Sequence, residues 1–151
     1  MSNPTNNASL LTGAGGQLQE LRYNLFQSCS WLNNGTRQFL QPFGITPKQF
    51  SILRNLAECH PESLSIQEVR EGLADKMSDA SRLIDRLEKK ALLEKFPSEL
   101  DRRSNRVRIT DRGRKLLQKI DSRRGTLDEL LRDRLKESEV EQLNELLSRL
   151  K

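Results

Sequence analysis

A chain of 151 residues suits one domain, or one protomer of an oligomer with a shared core. Its 34% hydrophobic content is low for a globular domain, so thin helical cores fit better than a thick sandwich. Short apolar runs exclude a membrane-spanning helix, and the net charge of +5 is a modest basic bias whose placement says more than its size.

Residues 1–16 are rich in Asn, Ser, Thr and Gly and carry no charged side chain, so they read as a flexible tail. No charged-then-apolar leader opens the chain, which points to the cytoplasm. A helix is expected from Gln17 to about Gln41, with Leu18, Leu21, Leu25, Cys29, Leu32, Phe39 and Leu40 near one face and Pro42 ending it. Only Glu20, Arg22 and Arg37 charge this stretch, so its long apolar stripe calls for a second surface, of which a partner subunit is one candidate. Cys29 and Cys59 form no CxxC pair, which argues against a disulfide framework and for a reducing compartment.

Thr46, Pro47 and Gln49 fit an N-cap, a first helical residue and the far side of a capping box, and Ile45 with Phe50 fits a hydrophobic staple. Phe50, Leu53, Leu56 and Ala57 supply the buried face of that helix, which should stop near His60-Pro61. The pattern recurs at Ser65 and Glu68, flanked by Leu64 and Val69, and opens a short helix that Gly72 closes. After the break at Ala74-Asp75-Lys76, a longer helix is expected over 77–92. Its buried face is Ala80, Leu83, Ile84, Leu87 and Ala91, which turns Ser78, Ser81, Arg82, Asp85, Arg86 and Lys89 outward.

Next, Leu92 and Leu93 precede a polar turn containing Pro97, and Asn105–Ile109 alternates like a half-buried strand. From Lys95 to Lys115 there are eight basic side chains against three acids, an excess equal to that of the whole chain and a candidate footprint for phosphates. Thr110 caps a further helix through Leu116, Leu117 and Ile120, with a continuation past Gly125 to Leu135. Ser138 and Glu141 would form a third capping box, opening a last helix whose leucines suggest a helix-on-helix seam, within the chain or between chains.

A short capped helix, a tight break, a longer helix and a basic hairpin make up a winged helix-turn-helix: mainly α with a small β-hairpin wing. The run from Ile45 to Leu117 resembles the multiple-antibiotic-resistance regulator (MarR) family of bacterial transcription factors. The matching pieces are ITPKQFSILRNLAE, SIQEVREGLADKMSDASRLIDRLEKKALLEK and DRRSNRVRITDRGRKLL, the last with the Asp-x-Arg wing and Thr-x-x-Gly helix start. The resemblance implies a homodimer joined through helices in 17–44 and 111–151, with residues 45–110 as the DNA-binding part. It further implies a repressor of neighbouring genes, relieved by a small-molecule effector and acting at a pseudo-palindromic operator in double-stranded DNA.

By position, the resemblance brings Ser78, Ser81 and Arg82 to base edges or nearby phosphates, with Arg86 and Lys89 further along. The wing, 93–110, would turn Arg102, Ser104 and Arg106 toward the minor groove. Asp101 and Arg103 would shape it, Arg103 also being a candidate phosphate contact. Ser65, at a helix N-terminus, is a plausible further phosphate contact. Ala91, Asp75 and Phe96 depart from the family pattern, at the helix-to-wing corner, the turn and the wing. Tyr23, Trp31, Phe39 and Phe50 could line an effector pocket for a small aromatic ligand or be ordinary core, and Cys29 is a small core residue or a redox thiol. Two alternatives are a cysteine-based oxidant sensor on this fold and a winged-helix protein-interaction module that binds no DNA.

The residues argue against an enzyme. His60 is the only histidine, and Cys29, Cys59 and His60 match no common zinc spacing. Gly13, Gly15 and Gly16 lie in the tail with no strand before them, so no phosphate-cradling loop, cofactor or metal is expected.

Overall fold

The computed structural model describes residues 14–101 and 103–150. The chain divides into two compact units, with the boundary between Gly35 and Thr36. The first helix, α1, runs Ala14–Leu40, so residues 14–16 of the expected tail are helical, and the remainder of that tail lies outside the described residues. Within the first unit, α1 leaves Leu18, Leu21, Tyr23 and Phe26 exposed.

In the second unit a 3-10 turn, Gln41–Phe43, ends at Gly44, whose φ of +70° suits a residue without a Cβ. Helix α2, Pro47–Glu58, starts with the expected box: the Gln49 N–H donates to the Thr46 hydroxyl and the Thr46 N–H to the Gln49 side chain, at 3.3 and 3.1 Å. Ser65 and Glu68 repeat this at the start of α3, Ile66–Glu71. Helix α4 runs Ala80–Lys89 with Asp79 as its N-cap, three residues shorter at its front than expected. The difference has a local cause: Asp75 accepts hydrogen bonds from the Met77 N–H and the Ser78 hydroxyl, which holds 75–78 as a turn.

Strands β2, Leu93–Pro97, and β3, Asn105–Ile109, pair antiparallel from Leu93↔Ile109 to Pro97↔Asn105. A two-residue strand β1, Leu64–Ser65, adds to the other side of β3, so the expected hairpin is a three-stranded sheet in the order β1-β3-β2. Helix α5, Asp111–Asp121, stops at Ser122, and α6, Arg124–Arg132, is a separate helix instead of a continuation. Helix α7, Glu137–Ser148, is capped by Lys136, not Ser138: the Glu139 carboxylate, not that of Glu141, reaches back to the Lys136 N–H at 2.8 Å.

Ile52, Leu53 and Leu56 of α2 meet Ile84 and Leu87 of α4 in one core, which Val107 of β3 and Ile120 of α5 complete. Each such side chain, taken fully out of water, stabilises the fold by about 1.5–3 kcal/mol. Val69 is buried, and Phe50 and Leu83 are half-buried against this core. Val107 and Ile109 point inward while Arg106 and Arg108 point outward, the alternation expected of the strand. The Thr-x-x-Gly step is explained by space. A Cβ at Gly113 would fall 2.2 Å from the Leu92 carbonyl oxygen and 2.7 Å from the Ile109 side chain, so only glycine lets α5 leave the sheet here.

Candidate nucleic-acid interface

Burying Ala80, Ile84 and Leu87 turns the opposite face of α4 to solvent. Ser81, Arg82, Arg86 and Lys89 all lie on that exposed face, as expected. The Arg82 side chain is 81% exposed and, among the described residues, paired with Asp79 one turn back, Nε to the carboxylate at 3.0 Å. So weak a surface pair leaves it available to a stronger partner. Ser78 is different. It precedes the helix, is buried, and donates its hydroxyl to Asp75 at 3.0 Å, so it belongs to the turn and not to the outward face.

The turn itself is anchored. Lys48 of α2 lies 2.8 Å from the Asp75 carboxylate, and this bond, with those from Ser78 and Met77, holds that carboxyl below its usual range. Farther along, Asp85 on the outer face of α4 meets Lys95 of β2 at 2.6 Å, and Glu88 adds a second contact at 3.3 Å. The Lys95 ammonium lowers the Asp85 pKa, and Asp85 in turn raises that of Lys95.

Much of the basic cluster is likewise engaged. Arg108 is paired with Glu94 and lies 5.3 Å from the centre of the Phe96 ring, and Arg114 is paired with Asp111. Arg106 does not reach to the tip. Its Nε donates to the Ser63 hydroxyl at 2.7 Å, a second nitrogen donates to the Ser63 carbonyl, and Glu68 lies 3.8 Å away. The cause is register: Arg106 sits opposite Ser65, which brings its side chain over the start of β1. Ser65 is committed as well: its hydroxyl accepts from the Glu68 N–H, and its own N–H donates to the Glu68 carboxylate. Those bonds, the Ser65 N–H first, hold the Glu68 carboxyl below its usual range.

Asp101 shapes the wing, though through backbone and not through the guanidinium of Arg103. Its carboxylate accepts from the Arg103 N–H at 2.9 Å, and its carbonyl accepts from both the N–H and the hydroxyl of Ser104. This leaves the Arg103 side chain exposed and turns the Ser104 hydroxyl into the loop. Arg102 lies outside the described residues.

Of the remaining candidates, Tyr23 is exposed, Trp31 half-buried, and Phe39 and Phe50 are half-buried against the core, with Phe39 packed on Phe43 and Arg54 over Phe50. Cys29 is exposed within a single chain. A cleft elsewhere is lined by Arg37, Gln49, Arg86, Lys89 and Lys90, with no acid among its lining residues. Sequence patterns single out neither this cleft nor the anchoring roles of Lys48, Ser63 and Lys95. All three contacts join residues at least seven positions apart, beyond the reach of helix or strand periodicity. Among the described residues no helix is long and apolar enough to cross a membrane.

Comparison with known proteins agrees with this geometry. The MarR family model matches residues 43–104. The HTH-type transcriptional regulator MhqR of Bacillus subtilis (strain 168) is 28% identical over 120 residues, 79% of this chain and 81% of that protein. Wild-type apo MarR from E. coli is 25% identical with a TM-score of 0.70, over 88% of this chain and 95% of its own. A mutant MarR from E. coli, crystallised with operator DNA, superposes with a TM-score of 0.80 at 22% identity, over 92% of this chain and 99% of its own. With the capped helices, the sheet and the Thr-x-x-Gly step in place, the chain carries a MarR family segment over residues 43–104 and shares the fold of MarR transcription regulators.

Proposed function

We propose that the chain is a sequence-specific DNA-binding regulator acting as a homodimer, with α4 in the major groove and the wing toward the minor groove. The observation that carries this reading is the outer face of α4. It offers Ser81, Arg82, Arg86 and Lys89 on a helix fixed at both ends, by Asp75 in front and Lys95 behind. The fold shared with a MarR mutant crystallised on operator DNA supports it. Exposed leucines on α1 and α7 support the dimer, since they give each helix an apolar side with water over it in one chain. The basic cleft supports repression relieved by an anionic effector. Arg86 and Lys89 belong both to its wall and to the outer face of α4, so an anion there and DNA phosphates draw on the same cations.

The test is selection of a pseudo-palindromic operator from random duplexes, followed by titration of two variants. Arg82→Ala should lose about 10- to 100-fold in affinity with an unchanged melting curve, as loss of a base contact implies. Arg106→Ala should melt lower by about 1–2 kcal/mol of unfolding free energy, because it removes both bonds to Ser63 and the ion pair with Glu68. Affinity that does not change with salt would refute the DNA reading.

A further inference from the structure

We infer that Met77 is a specificity residue that reads the 5-methyl group of a thymine in the major groove; this rests on the DNA reading above. The side chain is 94% exposed, while its neighbours Leu73 and Ser78 are buried. A single exposed apolar residue needs no explanation by itself. What separates Met77 is how its backbone is held.

Asp75 accepts from the Met77 N–H at 3.1 Å and from the Ser78 hydroxyl at 3.0 Å, its carbonyl accepts from the Ser78 N–H at 3.1 Å, and Lys48 ties the same carboxylate to α2. The root of the side chain is therefore fixed just ahead of the Asp79 cap, at the leading end of α4. In a helix-turn-helix this end meets base edges. Donor and acceptor patterns there call for polar side chains, and a thioether is only a weak acceptor. The one apolar group on the major-groove edge is the thymine methyl, and it is the group a methionine can bury against.

The experiment takes the operator selected by the full chain and replaces its thymines one at a time by deoxyuridine, which lacks only that methyl. Wild type should lose roughly fourfold at one thymine per half-site, the factor for burying one methyl-sized group. Met77→Ala should bind the thymine operator more weakly and show no loss at that position, and Met77→Leu should keep the loss. Equal binding of wild type to every deoxyuridine operator overturns the inference, as does an undiminished loss in Met77→Ala. A chain that selects no sequence at all overturns the DNA reading and this inference together, whereas methyl-blind binding overturns this inference alone.

Discussion

Ala91, with φ +56°, is the one non-glycine residue among those described that has a left-handed backbone, and it stands where α4 turns into β2. A Cβ there crowds its own backbone at a cost of about 1–2 kcal/mol, which is the physical reason a glycine is expected at such a corner. Its side chain is exposed and fills no core space. Ala91→Gly should therefore raise stability by about 0.5–1 kcal/mol in denaturant unfolding, after the added freedom of the unfolded chain is subtracted. Residue roles set by near neighbours were legible in the sequence: Thr46, Ser65 and Thr110 cap helices as their i, i+3 patterns indicate. The roles of Arg106 and Ser78 were not. One depends on a partner 43 positions away, and the other on an aspartate that converts a helical turn into a loop.

At the scale of elements, α4 and β2 are joined by the bond from Lys95 to Asp85. The folded pKa of Asp85 is depressed, so its contribution is present above the ordinary value of 3.8 and is lost as pH falls through the lower folded value. That of Lys95 is raised, so its contribution is present below 10.5 and is lost as pH rises through the higher folded value. The stability difference between wild type and Asp85→Asn should stay level from about pH 5 to pH 9 and shrink in more acidic solution, as followed by urea unfolding at stepped pH. A difference that grows in acid would contradict the pairing. Long elements were legible from periodicity, since Ile84, Leu87, Val107 and Ile109 fall on the inner faces expected of them. Strand β1 was not, because two residues carry no period. The stop after Asp121 also escaped: the leucine pattern continues through it while the backbone does not.

For the whole molecule, the decisive surface is the one water now covers. Leu143 and Leu146 of α7 are 42% and 48% exposed, as are several apolar side chains of α1. In the proposed dimer, burying such leucines stabilises association, and placing charge among them opposes it. The double substitution Leu143→Glu, Leu146→Glu should convert a dimer to a monomer in sedimentation equilibrium without loss of helical circular dichroism. It should also weaken operator binding far more than either half-site contact alone explains. A wild-type chain that sediments as a monomer at working concentrations would remove the dimer from the reading.

The hydroxyl of Thr110 accepts from the Gly113 N–H at 3.1 Å and donates to the Ala91 carbonyl at 2.7 Å, while the Thr110 N–H donates to Leu92 at 3.2 Å. One residue thus clamps the start of α5 to the end of α4, and at Gly113 no room remains for the two to slide. Such a joint has no backlash. In the proposed DNA-bound dimer, a tilt imposed on the far end of α5 would therefore reach α4 as a change of aim and not as a fraying of its last turn, with α5 the lever arm and α4, the helix proposed to enter the major groove, its short end.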